Sequence, residues 1–258
     1  MSIIISNKQS QLKSFFSDRK GGERSEMLDV LTRYIENCEE GLAEFVFLWG
    51  AGNKPKATKS DKDCLLYLFH FLKKVEDIYQ VNVNLNVVFT DTHAYLNGYD
   101  HLNYDVYIRD ISYHIKKHGF QFLTSSALCH TAFNQEGYPD HQSFIDHVIA
   151  HADELFGTLE LKENEIKSVP DFYHYALRHC VRIGHHQSGI CFENEESAAK
   201  AYLYVASFEK RIISKVYNKA AFITYLAKEE SAVFPDLPVI RIYSIKSGLR
   251  TRPWFTCE

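Results

Sequence analysis

The sequence predicts an α/β protein, with a mostly parallel sheet covered by helices on both faces and a more helical second half. Three observations carry this. Apolar runs of strand type alternate with segments whose apolar residues follow helical spacing, the pattern of βαβ units. The run ending at Val87-Val88-Phe89 is wholly apolar in its far half, as in a strand that enters a core covered on both sides. The two leading strand candidates stop abruptly in polar residues, Gly50-Ala51-Gly52-Asn53-Lys54 and Thr90-Asp91-Thr92-His93. In open sheets of this class ligands bind outside the carboxyl ends of the strands, so these two endings read as walls of one pocket.

Residues 7–23 are polar and end in Gly21-Gly22, consistent with a loose arm or a first short helix. Residues 1–23 are therefore set apart as an N-terminal arm. Residues 24–258, with no internal repeat or low-complexity segment, read as a single domain. From 23 to 40, Met27, Val30, Leu31, Tyr34, Ile35 and Cys38 follow helical spacing. A strand over 44–49 comes next. Ser60 is placed to N-cap a helix with Asp63 at the capping-box position, and Leu65, Leu68, Phe69, Leu72 and Val75 line one face.

The strand over 82–90 opens by alternating Asn82, Asn84 and Asn86 with Val83, Leu85 and Val87. Asn97-Gly98 marks a turn. The following helix, with Val106, Ile108, Ile111 and Ile115, ends at Gly119, a natural C′ residue. Residues 120–123 form a short strand candidate. Helices are expected over 141–156, 171–183 and 195–218, the last turning Ala198, Ala201, Tyr202, Val205, Phe208, Ile212 and Val216 inward. Strands near 221–226 and 238–245 follow, with Pro235 and Pro238 between them.

Composition excludes several classes. A net charge of −4 over 258 residues gives no general attraction to nucleic acid or to anionic lipid. Aromatics at 14% and hydrophobics at 45% disfavour disorder and supply a sizeable core. The six cysteines include no C-x-x-C pair, which is the pattern of free thiols rather than of a disulfide scaffold. The apolar run in Met1-Ser2-Ile3-Ile4-Ile5-Ser6 is too short for a signal peptide, and no segment approaches the roughly 20 apolar residues of a membrane span. A cytoplasmic location and small-molecule partners are expected.

Each polar ending admits two readings. Gly50-x-Gly52 after a strand has the outline of a dinucleotide turn, but Pro55 stands where the third glycine belongs and Asp91 lies well beyond the roughly 20 residues at which a ribose-binding acid is expected. Lys54, Lys56 and Lys59 ahead of a helix favour an anionic ligand such as a phosphate; otherwise the loop is a solvated connection. A buried Asp91 calls for a cationic partner, which suits it to hold an amine or act as a base, and His93 exchanges protons near neutral pH. The alternative has Asp91 capping a turn and His93 packed at a strand end. His147 and His151, four apart on a helix, lack the glutamate of an H-E-x-x-H site, since Val148 follows His147. No metal site is expected.

The order of landmarks resembles the pyoverdine/dityrosine biosynthesis family, the isonitrile (isocyanide) synthases. There an early strand runs into F-P-x-K-S-P-N, a Tyr-containing helix end follows, and a later strand closes in S-D-G-R. Leu48-Trp49-Gly50-Ala51-Gly52-Asn53-Lys54-Pro55 stands in the first place, Ile78-Tyr79 in the second and Thr90-Asp91-Thr92-His93 in the third. Tyr175-Ala176-Leu177-Arg178 is similar to a helical segment carrying a basic residue. Ala198 to Tyr204 with Ile240-Arg241-Ile242 resembles a helix and late strand, and Arg252-Pro253-Trp254 resembles the closing T-P-W. The likeness runs from about residue 44 onward in order and spacing. It departs where S-P-N is missing, where Gly becomes Thr92 and where Arg becomes His93.

The resemblance implies a Rossmann-like synthase that condenses the amine of an amino acid, tyrosine or tryptophan in type, with the carbonyl of a pentulose phosphate, with no metal or redox cofactor. Asp91, His93 and Lys54 would be the catalytic residues. Arg178 and Arg252 would hold phosphate or carboxylate, Thr90 and Thr92 would line the pocket, and Trp49 and Tyr95 would stack on the substrate ring. Two other readings stay open: a nucleotide- or S-adenosylmethionine-dependent transferase using the Gly50-Ala51-Gly52 turn, and a non-catalytic binder of a small anionic metabolite.

Overall fold

The computed structural model describes residues 10–16, 22–50, 56–96, 101–159, 195–224 and 237–242. The turn at Asn97-Gly98, the helix expected over 171–183 and the closing segment from 243 lie outside the described residues. Five strands form one sheet: β1 (Leu42–Gly50), β2 (Asn82–Thr90), β3 (Gln121–Thr124), β4 (Ala221–Thr224) and β5 (Val239–Arg241). Their order is β3-β2-β1-β4-β5, and every neighbouring pair is parallel. All carboxyl ends therefore share one edge. The chain builds outward from β1 through β2 to β3 and then returns to place β4 on the other side of β1. The reversal between β1 and β4 is the topological switch point at which sheets of this class open a crevice.

The described helices are α1 (Gly22–Glu36), α2 (Lys59–Tyr79), α3 (Asp91–Leu96), α4 (His101–Lys117), α5 (Ser125–Gln135), α6 (His141–Ala150), α7 (Ala152–Gly157) and α8 (Glu195–Val216). Alternation along β1 and β2 separates two cores. Phe45, Phe47 and Trp49 of β1, with Leu85, Val87 and Phe89 of β2, join Leu31 of α1, Leu65, Leu68 and Phe71 of α2, and Tyr107, Ile111 and Ile115 of α4. Val46 and Val88 face the other way and pack with Phe222 and with Ile213 of α8. Each fully buried side chain of this size contributes about 1.5–3 kcal/mol, so covering both faces is what fixes β1 and β2 as central strands.

Several boundaries differ from the sequence expectation. The capping box of α2 is Thr58 with Asp61, not Ser60 with Asp63. Asp61 accepts from the Thr58 amide at 2.8 Å, while Asp110 of α4 accepts from the Ala57 amide at 2.8 Å and pins the chain just before the cap. That tertiary contact selects the earlier of two overlapping cap patterns. Phe69 and Val106, expected inward, are 37% and 45% exposed. In α4 the buried line is Tyr107, Ile111 and Ile115, a spacing of four that rotates Val106 off the core. Val216, at the last turn of α8, is 52% exposed. The helix expected over 141–156 is two helices, because His151 leaves helical geometry at φ −125°.

The helix α5 was not anticipated. Its buried apolar positions amount to Cys129 and Phe133, too few to give a periodic signal, and the Thr124 side chain caps it by accepting from the Ala127 amide. Ahead of α1, Leu12 and Phe16 are buried in the main core, and Phe15 and Phe16 set their rings edge-on to Phe71. Gly119 has φ +78°, the left-handed backbone that ends α4 at the residue type best able to adopt it.

Candidate functional site

The parallel register brings Gly50 of β1 level with Thr90 of β2, and the Thr90 hydroxyl donates to the Trp49 carbonyl at 3.3 Å. β2 passes directly into α3, whose first residue is Asp91, and β3 passes directly into α5, whose first residue is Ser125. Because Phe89 pairs with Thr124, these two strand-to-helix junctions stand side by side. Their side chains interlock. Asp91 Oδ1 accepts from Ser125 Oγ at 2.8 Å and from the Ser126 amide at 2.9 Å, and Oδ2 accepts from the Ser126 hydroxyl.

Ser125 spends its only proton on Asp91, so the 3.0 Å contact with Thr92 Oγ1 has Thr92 donating. Asp91 is 5% exposed, while Thr92 and Ser125 are fully buried. The sequence called for a cation beside a buried Asp91; its described partners are hydroxyl and amide donors at the N-terminus of α5, where the helix dipole also favours a negative charge.

Above this clip α3, α5, α6 and α8 pack on one another. Cys129, one turn along α5, is fully buried, and Glu209 of α8 is 2% exposed. Phe133 joins the walls, with its ring 5.6 Å from His141, the first residue of α6, and stacked 5.7 Å from Phe208. Burial pushes His141 below the ordinary histidine value, while Asp91, Glu209 and Asp140 pull the other way. Burial pushes the Cys129 thiol up, helped by the negative charges of Glu209 and Asp91. The same two carboxylates thus act on both groups, which makes Asp91, Cys129, His141 and Glu209 one electrostatic cluster.

A buried lysine lies beside it. Lys210, 8% exposed, is one turn before Ile213, which packs on Val46 and Val88. α8 ends at Val216 and β4 begins at Ala221, so the helix runs back antiparallel to the strands and Lys210 stands nearer their carboxyl ends than Ile213 does. That is the side on which β1 and β4 part.

The structure brings Asp91 and Thr92 together in this site, with Thr90 at its edge. Trp49 is in the main core, 5% exposed, with its ring N–H donating to the Tyr107 hydroxyl at 2.9 Å. His93 and Tyr95 fall on α3. Lys54, Arg178 and Arg252 lie outside the described residues. Glu209, Lys210 and His141 were not read as site residues. The available signal was a run of three charges, Glu209-Lys210-Arg211, between Phe208 and Ile212 of an amphipathic helix.

Among the described residues no group of three or more His, Cys, Asp or Glu is placed to hold a metal ion. His147 and His151 stack on each other at 4.3 Å, and the His151 ring meets the His147 carbonyl. Cys38, Cys64 and Cys129 are free thiols. No described helix is long and apolar enough to cross a membrane.

The parallel sheet, the helices on both faces and the polar cluster over the carboxyl ends of β2 and β3 define a Rossmann-like α/β protein with its candidate site at the strand ends. No family model and no curated protein matches the sequence. In three dimensions the chain is similar to the PvcA protein from Pseudomonas aeruginosa, with a TM-score of 0.59 and 13% identity over 92% of this chain and 80% of that one. At that identity the likeness is one of fold.

Proposed function

We propose that this chain is an isonitrile (isocyanide) synthase-like enzyme. It joins the amine of an amino acid of the tyrosine or tryptophan type to the carbonyl of a pentulose phosphate such as ribulose 5-phosphate, in secondary metabolism. The observation that carries this reading is the meeting of two strand ends. The acid of the Thr90-Asp91-Thr92-His93 ending is buried beside the close of β1, from which the lysine-bearing loop departs, on a fold similar to PvcA. The negative charge of Asp91 attracts the amine and His93 moves protons during imine formation. Lys54, with Arg178 and Arg252, holds phosphate and carboxylate by charge-assisted bonds, and Tyr95 offers a ring to the substrate. The test is to incubate the chain with tyrosine or tryptophan and ribulose 5-phosphate and look for the infrared stretch of an isonitrile. No product across the amino acids and pentulose phosphates overturns the reading.

The strand order favours a second reading, because the switch point between β1 and β4 is where nucleotides bind in related topologies. A nucleotide- or S-adenosylmethionine-dependent transferase would show a rise in melting temperature with those ligands, by mass action. A third reading, a non-catalytic binder of an anionic metabolite, is favoured by the three hydrogen bonds that Asp91 accepts from Ser125 and Ser126.

A further inference from the structure

We propose that Ser126 is the residue of this site that meets a ligand's amine, and that Asp91 acts through it rather than by direct contact; this rests on reading the site as one that takes an amino acid. Asp91 is 5% exposed, and its oxygens accept from the Ser125 hydroxyl at 2.8 Å, the Ser126 amide at 2.9 Å and the Ser126 hydroxyl. A ligand that bonded Asp91 directly would compete with these donors, which hold two strand ends together. Ser126 is only half-buried, in the first turn of α5 at the carboxyl edge of the sheet, and Ala127 beside it is exposed.

The charge at the centre of this network sets the direction of its hydroxyl protons. A carboxylate has no proton to give, so both serine hydroxyls donate to it. Ser126 has then committed its one proton, and the 3.1 Å contact between Ser126 Oγ and Thr124 Oγ1 has Thr124 donating. Thr124 Oγ1 in turn accepts from the Ala127 amide at 3.2 Å. A second branch runs the same way from Thr92 through Ser125 to Asp91, but both of its hydroxyl residues are fully buried. The half-buried branch, Thr124 to Ser126 to Asp91, therefore offers a ligand lone pairs and no hydroxyl proton. A group that brings N–H bonds fits there, whereas an ionised phosphate or carboxylate brings only acceptors. The N-terminus of α5, which by itself would favour an anion, already has one in Asp91.

An amine nitrogen that donates to Ser126 Oγ has a path for its proton. As the uncharged amine attacks a carbonyl carbon, the N–C bond forms and the carbonyl π pair moves to oxygen. The nitrogen is then cationic. Its N–H bond breaks, an O–H bond forms on Ser126, and the original Ser126 proton passes to Asp91 Oδ2. The hydrogen bond between Ser126 and Asp91 survives with its direction reversed, so no donor is displaced. The proton returns by the same path to the alkoxide oxygen, leaving a neutral carbinolamine and Asp91 charged as before.

The test uses the full chain. Affinities for tyrosine and tryptophan and for their deamino analogues, 3-(4-hydroxyphenyl)propionate and indole-3-propionate, are measured by calorimetry in wild type, Ser126→Ala and Ser126→Thr. Circular dichroism checks folding, and Ser126→Cys, whose thiol is a weak acceptor, takes the place of Ser126→Ala if the latter does not fold. Expected are a preference for an amino acid over its analogue, loss of that preference by about tenfold in Ser126→Ala with the analogue unaffected, and recovery in Ser126→Thr, which keeps the hydroxyl. Turnover with ribulose 5-phosphate should fall about a hundredfold in Ser126→Ala and return in part in Ser126→Thr.

A wild type that binds amino acid and analogue alike overturns the proposal. So does a Ser126→Ala protein that loses affinity for both equally, since Ser126 then only holds the fold. If the preference depends on Ser126 but no isonitrile forms, the synthase reading falls and the amine contact stands. If Ser126→Ala makes isonitrile at the wild-type rate, the role of Ser126 falls and the synthase reading stands.

Discussion

Replacing Asp91 by alanine and by asparagine separates its part in holding the fold from its part in any chemistry. The carboxylate accepts three hydrogen bonds at a position 5% exposed. Bonds to a charged acceptor contribute about 1.5–3 kcal/mol each, and those in one network do not add in full. Two effective bonds at the low end of that range give a loss of about 3 kcal/mol for Asp91→Ala. In a chain of this size that lowers the melting temperature by roughly 6–12 °C.

Asparagine keeps an oxygen for the Ser125 hydroxyl and the Ser126 amide, and turns an N–H toward a Ser126 hydroxyl that can accept it. Neutral bonds have about half the strength of charged ones, so Asp91→Asn should cost about 1.5 kcal/mol. The assay is thermal melting followed by circular dichroism, with Ser126→Ala and the double variant closing a cycle. Coupling of about 1–3 kcal/mol between Asp91 and Ser126 is expected. An Asp91→Ala protein that melts within about 2 °C of wild type would refute the clip and everything built on it.

Other outcomes follow from single contacts. His141 is held below its ordinary value, so as pH falls below about 6.5 the unfolded chain takes up protons before the folded one does. Stability is full above that point and declines as pH drops through the window between the ordinary and the depressed value. His118 and His147 are shifted the same way, so His141→Asn should shallow the fall in melting temperature between pH 7 and 5 without abolishing it.

Asn86 Nδ2 has no hydrogen-bond partner among the described residues at a buried position of β2, so the near-isosteric Asn86→Leu should raise stability by about 1 kcal/mol in urea titrations. Trp49→Phe removes the bond to Tyr107 and should cost about 1 kcal/mol, while Trp49 emission in a Trp254→Phe background should be blue-shifted and shielded from acrylamide.

How much was legible in the sequence depended on how local the cause is. The bounds of β2 could be read because eight or nine residues of alternating and then continuous apolar character have few other uses, and Gly119 closed its helix through its own backbone freedom. α5 was not legible, since it begins on a cap and has only Cys129 and Phe133 to bury. Asp91 stood out as an acid at the end of an apolar run. Glu209 and His141 did not, because a glutamate within a helix and a histidine at a helix start are ordinary surface residues until the tertiary structure covers them.

The sequence by itself determined the class of the protein and the edge where a ligand belongs, since alternation and helical spacing are properties of short segments. Only the tertiary structure decided what Asp91 does, because its partners lie some 35 residues away in sequence and meet it through the parallel register of β2 and β3. It also decided that Trp49 is a core residue. Which side of a strand becomes the interior depends on the helices that cover it, and no stretch of β1 carries that information.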